Sequence, residues 1–366
     1  MEVAYLIYAY NKRAVYPLMQ LKKETSMTNR LIALVCAVSF TLLPALTLAS
    51  STTLGKVLKQ GKLNCGVSTG LAGFSDIDAK GQWQGLDVDY CQALAAAIFG
   101  DKNKVEYIPL TARERFAALQ SGQIDVLSRN TTWTFERDTT MGLNFVGVNF
   151  YDGQGFMVSK KSAIKQVSQL HNKPICVQAE TTTKLNLDDY FVSRGLNYQP
   201  VVFDTAVQIS RAFNSGRCVA ITADRSGLYA LRINLAKPES AVILSDIISK
   251  EPLGPVVREG DDGWFNIARW TLAVMINAEE LGITSANLDQ HRNSNNPEIT
   301  RLIGVETNLG QSLGLSNDWA YQIIKQVGNY EESYQRNVGE QSPLMIPRGL
   351  NALWSSGGIM YASPIR

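Results

Sequence analysis

The 366-residue sequence carries 35 Lys and Arg against 33 Asp and Glu, a formal net charge of +2, and is 45% hydrophobic. That size and apolar content support two or more ordinary domains around a substantial core and argue against a disordered or fibrous chain. Near balance of charge, with no basic stripe or nucleic-acid motif, sets nucleic acid aside as a partner.

Near its start the chain carries an apolar run, residues 31–48, interrupted by Pro44, preceded by Arg30 and followed by the small residues Ala49 and Ser50. This is the pattern of a secretory signal, with cleavage expected after Ala49; as a permanent anchor the run is barely long enough to span a bilayer. The tyrosine-rich opening before Met27 does not fit a signal, which points to a start at Met27 or Met19. Removal of residues 1–49 takes away Lys12, Arg13, Lys22, Lys23 and Arg30 with Glu2 and Glu24, so 35 basic residues become 30 and 33 acidic residues become 31. The expected mature protein is exported and close to neutral.

Cys36 lies within the signal. The remaining cysteines, Cys65, Cys91, Cys176 and Cys218, form an even set in an oxidising compartment and allow three pairings. Cys65 with Cys91 and Cys176 with Cys218 is the favoured one, because each bridge then staples one half of the chain. Metal binding competes poorly: there is no CxxC spacing, and His171 and His291 are isolated.

Residues 62–67 read as a first strand, followed by a glycine-rich turn at 70–74. A helix over 85–98 is expected, with Asp87 as its N-cap and Gly100 as its stop. A strand at 105–109, an amphipathic helix at 112–120 and a strand at 124–127 complete a first α/β series. A second follows after Phe156: strand 175–177, the polar turn Thr181, Thr182 and Thr183, helix 184–193, strand 201–202, helix 207–214 and strand 219–222. The alternation predicts α/β lobes with mostly parallel sheets. Pro252, Leu253, Gly254 and Pro255 look like a connection back to the first half. Helices over 261–282 and, as one element, 319–338 then close the chain. The expected division is 1–49 as extension and signal, 50–156 as the first part of lobe 1, 157–250 as lobe 2, and 251–366 as the return to lobe 1 with a C-terminal extension. The hinge is expected near 155–158 and 250–255.

Ligands in such folds sit beyond the carboxyl ends of strands, where residues 130–137, the three threonines and Asp224 all fall. The stretch DVLSRNTTWTFERD, residues 125–138, runs from an apolar strand through amide and hydroxyl residues to Arg137. Backbone N–H groups, the Thr132 and Thr134 hydroxyls and a guanidinium can converge there on a carboxylate. A structural alternative has Thr134 capping a helix and Arg137 pairing with Glu136 or Asp138 on the surface. Asp224, an ordinary turn residue on its own, supplies an anion for an ammonium group if it faces Arg137 across a cleft.

Several stretches carry a resemblance: GLDVDYCQALAAAIFG, LQSGQIDVLSRNTTWTFERD, GLNFVGVNFYDGQGFMV, CVQAETTTKLNL, GRCVAITADRSGLYALR, ISKEPLGPVVREGDDGWF and the C-terminal GLSNDWAYQIIKQVGNY. They resemble the periplasmic solute-binding proteins of ABC-type amino-acid importers, and within these the general L-amino-acid-binding subfamily, over essentially the whole mature chain. The resemblance implies a type II periplasmic-binding-protein fold with a two-segment hinge. It implies ligand contacts from Asn130, Thr132, Arg137, Gln178, Thr182 and Asp224, with Arg137 on the α-carboxylate and Asp224 on the α-ammonium group. Two departures stand out. The turn that commonly reads GTTT in relatives has Glu180 before its threonines, where glycine would permit backbone angles that glutamate resists. Positions that are aromatic in glutamine-type relatives are Leu71 and Ala112, which fits broad specificity. Arg113 and Arg115 are read as solvating a helix.

The expected function is therefore a monomeric receptor that closes on L-amino acids and delivers them to a membrane permease with ATPase subunits, needing no cofactor or metal. The alternative, a dehydratase-like enzyme on the same architecture, requires a positioned acid or base, for which Glu180 is the one candidate. No GxSxG, Walker or HExxH motif supports other enzyme classes.

Overall fold

The computed structural model describes residues 52–305 and 308–366; the expected signal, its cleavage point and Cys36 lie outside them. Two five-stranded sheets dominate. The first has the order Val105–Leu110, Leu63–Ser68, Val126–Leu127, Val256–Arg258, Leu143–Phe145. Its first three strands are parallel, and Val256–Arg258 runs against both neighbours. The second has the order Gln199–Phe203, Pro174–Gln178, Ala220–Asp224, Gln154–Ser159, Ala241–Ile243, again with three parallel strands and one, Gln154–Ser159, opposed to its neighbours. Central parallel strands buried on both faces explain the continuous apolar runs, such as the fully buried Val126 and Leu127 or Ile175, Cys176 and Val177.

Between the sheets, Phe150–Asp152 pairs antiparallel with Glu251–Leu253. The first crossing therefore lies before the expected segment 155–158, whose residues sit inside a strand of the second sheet. Both expected disulfides are formed, Cys65–Cys91 and Cys176–Cys218, each within one sheet-and-helix layer. Cys65–Cys91 ties the strand Leu63–Ser68 to the helix Leu86–Phe99 that covers it.

Two expectations about helices change. Asp87 does not cap the helix Leu86–Phe99; Gly85 does, at φ 132°. A Cβ there would lie 2.1 Å from the Phe74 carbonyl oxygen, so the close approach of two backbones demands glycine. The expected helix over 319–338 is two helices, Trp319–Gln326 and Tyr330–Asn337. Gly328 at φ 95° ends the first, and Asn329 starts the second through a reciprocal capping box with Glu332, both bonds at 2.8 Å. The second helix is locked onto the first lobe, because Ser333, Arg336 and Asn337 all donate to the buried Asp89 carboxylate. Tyr330 and Tyr334 fill the same core.

Candidate functional site

The strand Val126–Leu127 delivers its loop to the face between the sheets, and three contacts fix that loop. Asp87, freed from capping, accepts the Asn130 N–H at 2.9 Å and the Ser128 hydroxyl at 3.2 Å. Asn130 holds φ 33°, a left-handed conformation that asparagine tolerates better than most residues. Residues 131–133 are then zipped to the connecting strand, with Gly254 N–H donating to Thr131 O at 3.0 Å and Trp133 N–H to Pro252 O at 2.8 Å.

The facing lobe presents three strand ends and helix starts. Gln178 ends one strand, and Thr181 starts the helix Thr182–Val192, whose free first-turn N–H groups favour an anion. Asp224 ends the strand Ala220–Asp224 and stands at the cap of the helix Arg225–Ile233 without a side-chain capping bond, so its carboxylate is available to the cleft.

These residues enclose one cleft of about 730 Å³, lined by Asn130, Thr132, Gln178, Thr182 and Asp224 among others. Arg137, the sixth expected contact, is not in its lining. It is buried, Nη1 donates to Thr132 O at 2.8 Å, and the guanidinium stands 5.2 Å from the Phe116 ring centre. Its Nε and Nη2 have no partner among the described residues, and it makes no salt bridge with Glu136 or Asp138. Thr134 does cap the helix Phe135–Thr140, accepting the Arg137 N–H at 3.3 Å, as the structural alternative expected.

Sequence reasoning passed over three charged groups. Arg115, read as a solvated helix residue, is 3% exposed and lines the cleft. It shares a face with Ala118 and Leu119, the buried positions three and four residues on, and that spacing was the available signal. Its Nη1 and Nη2 reach Thr131 Oγ1 and the Glu180 carbonyl only at 3.5 Å, and its Nε is buried without a partner. Burial and the neighbouring guanidiniums of Arg129 and Arg137 hold Arg115 well below its ordinary pKa, so an anion is the natural relief. Arg129, also buried, lines the cleft; burial brings its pKa down to about 10 while Asp87 opposes the fall.

The third is Glu251, 1% exposed on the connecting strand. Its Oε2 accepts from Thr132 at 2.7 Å and Thr182 at 3.0 Å, and its Oε1 from Asn186 and Ser249, both at 2.6 Å. Thr132 belongs to one sheet layer and Thr182 and Asn186 to the other, so the carboxylate ties the two together from the crossing. Burial and the carboxylates of Asp152 and Glu251 hold Asp224 well above the ordinary carboxylate range, although Asn130 and Arg115 oppose this. Asp152 is raised by burial to about 6. The cleft thus has a basic wall of guanidiniums and an acidic wall in want of a cation.

At the mouth, Glu180 occupies φ 55°, the glycine-like angle anticipated for its position. Arg113, largely exposed, approaches Glu180 at 3.9 Å and Asp204 at 3.7 Å. Leu71 lines the cleft, whereas Ala112 is buried outside that lining.

Residues 63–287 match the model of the bacterial extracellular solute-binding proteins, family 3. Similarity to the general L-amino acid-binding periplasmic protein AapJ of Rhizobium johnstonii is 57% identity over 87% of this chain and 94% of that one. The putative amino-acid ABC transporter-binding protein YhdW of Escherichia coli K12 is 52% identical over 93% of this chain and 100% of its own length. Among solved structures, an ABC transporter periplasmic binding protein from Brucella ovis with glutathione bound aligns with a TM-score of 0.85 at 53% identity, covering 86% of this chain and 99% of that one. With the two-sheet fold, the crossing strands and the cleft already described, these likenesses have one reading: the chain belongs to family 3 of the bacterial extracellular solute-binding proteins.

Proposed function

We propose that this protein is the periplasmic receptor of an ABC-type importer and binds L-amino acids as zwitterions. The receptor delivers them to the importer's membrane permease and ATPase subunits. One observation carries the reading: a single cleft sets Arg115 and Arg129, with Arg137 behind Thr132, against Asp224. In the assignment proposed here, the free Nε and Nη2 of Arg137 and the Thr132 backbone N–H take the α-carboxylate, the Thr132 hydroxyl being given to Glu251. Asp224 and Asn130 take the α-ammonium group, while Gln178 and Thr182 complete the second wall. Charge-assisted hydrogen bonds contribute about 1.5–3 kcal/mol each, so three or four support micromolar affinity or better.

Arg115, with a buried unpartnered Nε, gives side chains ending in a carboxylate or carboxamide an added contact, so glutamate and aspartate bind best within a broad range. The lobes divide at the paired crossing strands Phe150–Asp152 and Glu251–Leu253, and closing them brings both charges onto one ligand. Glu180, the one acid or base candidate for a dehydratase, lies at the mouth beside Arg113, and the protein acts as a receptor rather than an enzyme.

Thermal shift and calorimetry with L-amino acids, D-amino acids and decarboxylated amines test this. Ligand at a hundred times its dissociation constant adds about 2.7 kcal/mol of stability. L-amino acids are expected to raise the melting temperature and the amines are not; no response to any amino acid overturns the proposal.

A further inference from the structure

The family-matched residues end at 287, and the chain that follows reaches back to the first of the two crossing strands. Three of its residues hold the stretch 149–151. Tyr330 donates its hydroxyl to Asn149 O at 2.8 Å, the Tyr334 ring stacks on Phe150 with 5.9 Å between ring centres, and the buried Asn351 takes both main-chain groups of Tyr151. Asn351 Oδ1 accepts the Tyr151 N–H at 2.7 Å, and Nδ2 donates to the Tyr151 carbonyl at 3.1 Å. The amide therefore stands where a third strand would pair, while Pro252, opposite Tyr151 on the other crossing strand, has no N–H to offer. Asn351 is itself fixed. Arg348 donates to its carbonyl from Nε at 3.0 Å and Nη2 at 2.8 Å, and pairs with Glu279 of the long helix Asp262–Glu280 at 2.8 Å.

One residue further on, the contacts change lobe. Asp152 accepts the Ser226 N–H at 3.1 Å, and the Gly153 carbonyl accepts the Arg225 N–H at 2.9 Å. Arg225 and Ser226 open the helix that follows Asp224, so the second lobe takes hold of the strand beside the group assigned to the ammonium. We infer that closure pivots on the link between Tyr151 and Asp152, and that the C-terminal extension is a brace on lobe 1 with Asn351 as its positioning residue. This deepens the receptor reading and rests on it. Tyr151 moves with lobe 1 and Asp152 with lobe 2. Because the brace confines the turn to one link, residues 149–151 need no ordering each time the lobes close. Asn351 lies outside the cleft lining, so its effect reaches every ligand alike.

The test compares Asn351→Ala with Ile323→Val, a loss of packing in the buried face of the other extension helix, Trp319–Gln326. Amide hydrogen exchange is followed on each protein, and L-glutamate and L-alanine are titrated by calorimetry. Asn351→Ala is expected to speed exchange of the Tyr151 amide at least about tenfold. It should weaken both ligands by one factor, about five- to tenfold. Ile323→Val should lower the melting temperature yet leave both affinities within about twofold. Tyr330→Phe, which keeps the ring and loses only the bond to Asn149, should move exchange and affinity the same way by about two- to threefold, and gives the reading if Asn351→Ala does not fold. Unchanged exchange at Tyr151, a loss for one ligand only, or an affinity loss in Ile323→Val equal to that in Asn351→Ala overturns the brace, while wild-type binding keeps the receptor reading. If the wild type binds neither amino acid, the receptor reading falls and the brace falls with it.

Discussion

Thr132 donates its hydroxyl to Glu251 at 2.7 Å, which joins the anion-binding loop of one lobe to the strand on which the chain returns from the other. Thr182 and Asn186 complete the tie from the second lobe, and together with Thr132 and Ser249 they give the carboxylate four hydrogen bonds. Glu251→Gln should weaken every amino acid by about tenfold, since hydrogen bonds to a charged acceptor are worth roughly 1.5–3 kcal/mol and an amide keeps only part of that. Calorimetry measures the affinity, and small-angle scattering should show a more open ligand-free ensemble. A variant with wild-type affinity and shape would remove Glu251 from closure.

Acid titration should have an unusual sign in the ligand-free protein. Asp87 and Asp152 are raised to about 6 by burial, and burial also holds Asp224 well above the ordinary carboxylate range. A carboxyl whose folded pKa is raised contributes stability that is fully present below its unfolded value and is lost as pH rises through the folded value. Ligand-free stability should therefore fall from about pH 4 to about pH 6. Carboxylates held low, such as Asp289 at about 2, act only below that window. An amino acid brings a cation to Asp224, so saturating ligand should flatten the fall, and binding at pH 6 should release protons. Melting curves with and without ligand check the slope, and calorimetry in buffers of different ionisation heat counts the protons.

Arg115→Met removes the guanidinium with its unpartnered Nε while keeping most of its bulk. Glutamate and aspartate should lose about tenfold or more in affinity, while alanine and leucine change by less than about threefold. An equal loss for all four would make Arg115 part of the general clamp instead of a selector.

Glu180→Gly should stabilise the fold by about 1 kcal/mol, because glycine takes the left-handed angle without the penalty of a Cβ. Urea unfolding measures it. Because the side chain lies at the mouth, its exposed ion pair with Arg113 contributes little, and affinity should hardly change.

Removing Cys176–Cys218 by a double alanine substitution should cost about 3–4 kcal/mol, as expected for closing a loop of this length. The two cysteines are 42 residues apart, within the second sheet layer. Since that layer carries Asp224 and Thr182 but the bridge does not cross the hinge, affinity at low temperature should survive.

What could be read from the sequence was local. The apolar runs read at 62–67 and 175–177 gave the parallel strands Leu63–Ser68 and Pro174–Gln178, and the disulfide pairing followed from which cysteines share a half. Glycines 100 and 122 marked helix ends through the left-handed conformation that only they adopt cheaply. What escaped depends on contacts distant in the chain. Asp87 has the composition of an N-cap, yet its partner is Asn130, 43 residues on. Arg115 looks exposed until its register with Ala118 and Leu119 is noticed, and Glu251 is an anonymous acid until three lobe residues converge on it. The break at Gly328 was masked by the apolar periodicity on either side of it.

The central claim is that Arg137 and Asp224 grip the two groups common to all L-amino acids. The direct measurement is calorimetry of Arg137→Ala and Asp224→Ala against glutamate, alanine and leucine, with melting curves confirming that each variant is folded. Each substitution should weaken all three ligands by a similar factor, on the order of a hundredfold, the loss of one or two charge-assisted bonds. A loss confined to one kind of side chain, with the other ligands bound as in the wild type, would contradict the clamp.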